Sequence, residues 1–153
     1  MEIGVDTGDN AVSMVKSAMK NFPPEKIEYY GFDTFSGKNN NQLERVKRRL
    51  SKTGCRFELY KGDSTETLPR NIGDLTKMDL IFIDGGHAYQ VTKSDWENSK
   101  VLMHSNTAVF FHNYDFSGPK KVVDDIPRKK FNVEILDPPS DCRTGLVKTR
   151  NNQ

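Results

Sequence analysis

Cysteine is scarce in this sequence. The two present in 153 residues, Cys55 and Cys142, have neither metal-ligand spacing nor the density of a disulfide scaffold, so both are expected as free thiols. Long apolar runs are missing: nothing approaches the roughly 18 residues of a membrane span, and Met1 opens neither a signal nor a transit peptide. A cytoplasmic location without membrane attachment is therefore expected. No charge of one sign dominates, since 23 Lys and Arg face 21 Asp and Glu for a formal charge of +2, which gives nucleic-acid binding no support. Repeats, low-complexity tracts and linkers are absent as well, and a chain of this length fits a single domain over residues 1–153.

What is present is an alternation of short apolar runs with helical patterns. Met1 to Val5 reads as the end of a strand entering the glycine-punctuated turn Gly4-Val5-Asp6-Thr7-Gly8. Ala11, Val15, Ala18 and Phe22 then repeat at helical spacing until Pro23-Pro24 forbids continuation. Ile27–Phe32 reads as a second strand ending at Asp33, and Leu43, Val46 and Leu50 form a helical stripe whose wet face carries Arg45, Lys47, Arg48 and Arg49. Arg56–Tyr60 is a third strand, followed by a weak helical turn through Thr65–Leu68.

Leu80-Ile81-Phe82-Ile83 is apolar on both faces and stops at Asp84-Gly85-Gly86-His87, the signature of a buried parallel strand. A helix is expected over Tyr89–Met103, with Trp96 and Leu102 inward and Asp95 and Glu97 on the wet side. Thr107–Phe111 is a fifth strand ending at His112-Asn113, and Val122, Val123 and Ile126 mark the inner face of a further helix. Phe131–Leu136 and Gly145–Thr149 have no helix between them, so they read as an antiparallel pair, with Asp137-Pro138-Pro139-Ser140 as loop. The pattern predicts an α/β domain: a mostly parallel sheet covered by helices on both faces and closed by a hairpin.

The polar residues fall at the strand ends. Glu2 and Asp6, then Asp33, Asp63, Asp84 and finally His112-Asn113 terminate successive strands, and parallel strands bring such endings to one edge, where ligands of open α/β sheets sit. Each residue taken singly also suits a turn or a helix N-cap.

Read in order, these segments resemble class I S-adenosylmethionine-dependent methyltransferases. E-I-G-V-D-T-G at 2–8 is similar to the first motif, Y-G-F-D-T-F at 30–35 to the second-strand motif and K-G-D-S-T-E-T-L-P at 61–69 to the third. F-I-D-G-G-H-A-Y at 82–89 with F-H-N-Y-D at 111–115 resembles the small-molecule O-methyltransferase branch. The resemblance implies a Rossmann-like seven-stranded sheet of order 3-2-1-4-5-7-6 and methyl transfer from S-adenosylmethionine to a small-molecule acceptor, at oxygen. It implies that Glu2, Gly4, Gly8, Asp33, Asp63 and Asp84 hold the cofactor, with Asp33 on the ribose and Asp63 near the adenine amino group. Asp84, His87 and His112 become the catalytic candidates, either histidine being suited to proton removal near neutral pH.

Metal-dependent relatives further imply a divalent cation such as magnesium, for which Asp84 and Asn113 supply oxygens while His112 is an unusual substitute for an acid. A dinucleotide enzyme of the NAD type also uses an acid like Asp33, but G-x-x-x-G at 4–8 lacks the third glycine of that fingerprint. Asp6 stands where relatives often carry glycine and is expected to crowd the turn or repel a cofactor carboxylate. Only three residues precede Gly4. The domain therefore reads as one without the helices that relatives carry in front of this strand, with an acceptor pocket that is open or covered by a partner, a homo-oligomer included. A non-catalytic, cofactor-binding remnant is the alternative function.

Overall fold

The computed structural model describes residues 1–37 and 41–150. Seven strands form one sheet: β1 Glu2–Ile3, β2 Glu28–Asp33, β3 Arg56–Lys61, β4 Met78–Ile83, β5 Met103–Phe111, β6 Phe131–Leu136 and β7 Thr144–Thr149. Their order is β3-β2-β1-β4-β5-β7-β6, the order the resemblance implies. The first five run parallel, and β7 pairs antiparallel with both β5 and β6. Because β4 and the Thr107–Phe111 part of β5 are apolar on both faces, both faces of the sheet must be covered. The covering helices are α1 Asp9–Ala18, α2 Gln42–Ser51, α3 Ser64–Asn71, α4 Tyr89–Ser99 and α5 Ser117–Asp125.

Two cores divide these helices. Ala11 and Val15 of α1 pack with Val46 and Leu50 of α2 over Tyr29. Leu68 of α3, Trp96 of α4, and Val122 and Val123 of α5 pack over Ile81, Val109 and Phe111. The basic residues of α2 lie on its outer side, as expected for an amphipathic surface helix. Among the described residues no helix is long and apolar enough to cross a membrane.

Strand β1 has only two ladder residues, yet its flanks extend the pairing. The Met1 amino group donates to the Leu80 carbonyl at 2.9 Å, and its burial lowers that group's pKa to about 6. At the other end Gly4 N donates to the Phe32 carbonyl and Asp84 N to the Ile3 carbonyl, both at 2.8 Å. The chain leaves β1 through Gly4 at φ 87°, where a β-carbon would lie 2.1 Å from the Asp84 carbonyl oxygen. Only glycine fits that passage between β2 and β4.

Three expectations are corrected. The helix after β4 stops at Ser99, a 3₁₀ turn covers Lys100–Leu102, and β5 starts at Met103 rather than Thr107. The β4–β5 register shifts between Met78 and Leu80, so the regular ladder resumes only near Thr107, where the apolar run begins. His104, which the sequence pattern places at a solvent-facing helix end before the fifth strand, thus belongs to a strand and meets Asp79 at 3.1 Å. Asp95 is not on a wet side: α4 lies between α3 and α5, and the Asp95 side chain is completely buried.

Candidate active site

The carboxyl edge of the sheet opens into a cleft of about 360 Å³ whose walls include Gly4, Asp33, Asp63 and Asp84. These four expected cofactor residues come together. Glu2 and Gly8 do not line the cleft. Glu2 lies beneath it, 1% exposed, where its carboxyl accepts from Asn10 Nδ2 at 2.8 Å and from the Tyr29 hydroxyl, tying β1 to α1 and β2. Burial raises its pKa to about 7, against the opposing effect of those hydrogen bonds. Gly8 caps α1 at φ 77°, and a β-carbon there would come 3.2 Å from Val46 Cγ1.

Asp33 is held by the backbone. Its Oδ2 accepts from Val5 N at 2.8 Å and Asp6 N at 2.9 Å, and its Oδ1 accepts from Phe35 N at 2.6 Å. Each carboxylate oxygen takes about two hydrogens, so Oδ1 keeps one accepting position. Asp6 and Phe35 both have left-handed backbone, with φ 46° and 47°, a conformation costing of order 1 kcal/mol each that these charge-assisted bonds offset. Asp6 does not crowd the turn: its N–H serves Asp33, and its side chain accepts from Gln42 Nε2 at 3.1 Å.

Asp63 N-caps α3. Its Oδ1 accepts from Thr65 N at 2.9 Å and Thr65 Oγ1 at 2.7 Å, which hold its pKa below the usual carboxylate value. Its second oxygen remains available.

Beyond Asp84 the edge is built from side chains. His112 Nδ1 lies 3.0 Å from Asp84 Oδ1 and 2.9 Å from Asn113 Oδ1, and its Nε2 lies 3.2 Å from Asp141 Oδ1. A bare Nδ1 would set its lone pair against two oxygens, so that nitrogen carries hydrogen and donates. Burial pulls the His112 pKa down, but Asp84 and Asp141 outweigh it and the net direction is up. His87 is more exposed: its Nε2 is 3.8 Å from Asp84 Oδ1, and its ring lies against Phe116 with centroids 4.7 Å apart. Arg143 pairs with Asp115 on the same rim. Sequence reading missed Asp141, which reaches the site from the β6–β7 loop with no motif to mark it.

It also missed Asp95. Both carboxyl oxygens are buried without a hydrogen-bond partner, and burial raises the pKa to about 6. The acid lies behind Gly85, where an added β-carbon would be 3.2 Å from Asp95 Oδ2. The only sequence signal was the small polar character of Thr92 and Ser99, which are buried with it on α4.

The implied adenosyl cofactor fits this donor set. A cleft at the sheet's carboxyl edge offers unused acceptor positions on Asp33 and Asp63, and an orphaned carboxyl stands behind its Gly85 wall. Magnesium fits poorly. It prefers several oxygens in octahedral array, whereas the two implied here, on Asp84 and Asn113, converge on the nitrogen of His112. Among the described residues no group of three or more His, Cys, Asp or Glu side chains is arranged to hold a metal ion.

Comparison with solved structures places the chain among methyltransferase folds. The apo form of CalS11, a TDP-rhamnose 3'-O-methyltransferase of calicheamicin biosynthesis, superposes with a TM-score of 0.80 at 20% identity, covering 99% of this chain and 71% of that one. The O-methyltransferase TomG of Streptomyces achromogenes, which acts in tomaymycin synthesis and was solved with S-adenosylmethionine, gives 0.78 at 13% identity, covering 98% and 72%. An O-methyltransferase from Bacillus cereus in complex with S-adenosylhomocysteine gives 0.77 at 13%, covering 97% and 72%. No curated protein sequence matches. Residues 1–114 match the family model described as a methyltransferase domain, well over half of the chain, and the protein therefore belongs to that family, as an enzyme of the class I S-adenosylmethionine-dependent type.

Proposed function

We propose that this methyltransferase acts on a hydroxyl group of a small molecule. The observation that carries the reading is the division of the carboxyl edge at Asp84. On one side is the cleft with Asp33 and Asp63, and on the other a rim of His87, His112 and Asp141 that can meet an acceptor. The similar folds of CalS11 and TomG, both named as O-methyltransferases, support oxygen as the target.

When bound, S-adenosylmethionine supplies a methyl group already activated on a sulfonium, so the protein has mainly to align the acceptor, exclude water and remove a proton. In this reading the free position on Asp33 Oδ1 takes a ribose hydroxyl, and the second oxygen of Asp63 takes the adenine amino group. Gly4 gives the backbone its close approach, with Glu2 and Gly8 supporting the turn from below. Asp84 stands between cofactor and acceptor, orients His112 by a hydrogen bond and lies 3.8 Å from His87.

His87 is the better proton acceptor, because its ring is open to solvent while His112 already donates from Nδ1 and faces Asp141 with Nε2. His112 then acts as a donor that fixes Asp84 and Asn113.

Calorimetric titration with S-adenosylmethionine and S-adenosylhomocysteine, with NAD as control and magnesium in a parallel series, tests the cofactor half. Binding of the first two alone is expected, without dependence on magnesium. An acceptor screen with methyl-labelled cofactor tests the rest. Label on hydroxyl-bearing small molecules is the expected result; transfer to nitrogen or carbon acceptors only would refute the oxygen assignment. Cofactor binding without turnover on any acceptor would favour the non-catalytic remnant.

A further inference from the structure

Asp95 has no task in the reaction as described, and its surroundings are unusual. It is 0% exposed, on the inner side of a helix flanked by α3 and α5, and neither carboxyl oxygen has a hydrogen-bond partner. A buried carboxyl left in that condition is unfavourable, so its retention needs a donor that arrives at some stage of the protein's work. The groups near it belong to the cleft. Gly85 packs against it with a bare Cα, leaving 3.2 Å between an imagined β-carbon and Asp95 Oδ2. The Ser64 hydroxyl is close enough to favour the charged form without completing a hydrogen bond, and the neighbouring Asp63 disfavours that form. Val91, one helical turn before Asp95, lines the same cleft with Ser64, Gly85 and Gly86. Among the described residues, Gly85 N and Gly86 N donate no hydrogen bond.

An unpaired acceptor thus stands directly behind two walls of the cleft that hold unused donors. We propose that Asp95 is a positioning residue for the cofactor: its carboxyl is the acceptor onto which the Ser64 hydroxyl and the Gly85–Gly86 backbone close when the adenosyl end fills the cleft. The inference rests on the cofactor reading given above. Linkage makes the effect reciprocal. The cofactor satisfies Asp95 by pressing the walls inward, and Asp95 tightens cofactor binding by holding them there. The isolated protein bears the orphaned carboxyl, and the loaded protein benefits from it.

That arrangement separates Asp95 from a purely structural residue. Asp95→Ala and Asp95→Leu remove the unsatisfied group, so both should melt, without ligand, at or above the temperature of the wild type. Both should also bind S-adenosylhomocysteine about tenfold more weakly by calorimetry, having lost one hydrogen bond to a charged group. Asp95→Asn keeps the shape and one acceptor oxygen and should bind with an affinity between that of the wild type and that of the alanine and leucine variants. Unchanged affinity in all three variants would overturn the proposal. So would an apo melting temperature that falls together with affinity, or an alanine variant that does not fold, since either result would make Asp95 structural. If the wild type itself does not bind S-adenosylhomocysteine, the cofactor reading of the cleft fails, and this proposal with it.

Discussion

The two halves of the carboxyl edge are made of different material. On the side of the cleft, carboxyl groups are fixed by backbone N–H groups or from below: Asp33 takes three N–H groups, Asp63 caps a helix, and Glu2 is held by Asn10 and Tyr29. On the side of the histidines, the contacts run between partly exposed side chains, His112 with Asp84, Asn113 and Asp141, and Arg143 with Asp115. Backbone donors are positioned by the fold and are removed by no single substitution other than to proline, whereas side-chain pairs on loops are lost with any change of residue. A ligand common to a family suits the first kind of wall, and one that differs between members suits the second.

The sharpest way to break the rigid half is Gly4→Ala. The new β-carbon would meet the Asp84 carbonyl at 2.1 Å with φ at 87°, and a loss of more than about 4 kcal/mol is expected, read as a collapse of the urea midpoint. A variant of near wild-type stability would mean that β1 and β4 can separate.

Glu2 tests the buried anchor through pH. Its folded pKa of about 7 lies above the ordinary 4.5, so its contribution is fully present below pH 4.5 and is lost as pH rises through about 7, up to about 3 kcal/mol. Asp95, raised to about 6, acts in the same sense at lower pH, while the Met1 amino group, lowered to about 6, adds stability as pH rises from 6 to 8. Glu2→Gln should flatten most of the decline in denaturation midpoint between pH 4.5 and 7. An unchanged slope would refute the buried assignment.

Asp33→Ala leaves Val5, Asp6 and Phe35 without their acceptor, and about 2 kcal/mol of stability should go with it. Affinity for S-adenosylhomocysteine should drop at least tenfold, and unchanged affinity would reject the ribose role.

The smallest effect belongs to the adaptable half. Asp141→Asn alters an exposed pair, so stability should move by less than about 0.5 kcal/mol. The His112 ring should nevertheless titrate at lower pH by NMR, because one of the charges raising its pKa is gone. A large stability loss would erase the contrast between the two halves.

The fold was legible because β4 and the regular part of β5 are continuous apolar runs that stop at Asp84 and His112, and because no helix separates β6 from β7. The meeting of Asp33, Asp63 and Asp84 at one cleft was legible in the same way, since strand ends announce themselves by polarity. Asp95 was not, because an amphipathic reading assigns charge to water and cannot know that α3 and α5 flank α4. The role of Asp33 within the turn also escaped, since it depends on the approach of residues 28 apart in sequence. Asp141 joins the site only through loop closure, to which local sequence is blind.

The position of β7 governs how the molecule assembles. It is the last of the seven strands in the chain, yet it lies between β5 and β6, so β6 has no ladder partner until residues 144–149 arrive. The parallel half of the sheet can form by successive strand–helix additions, while the antiparallel half must wait and then form in one step. Such long-range closure is the slow kind, and a folding chain caught before it would present the edges of β5 and β6 to other chains.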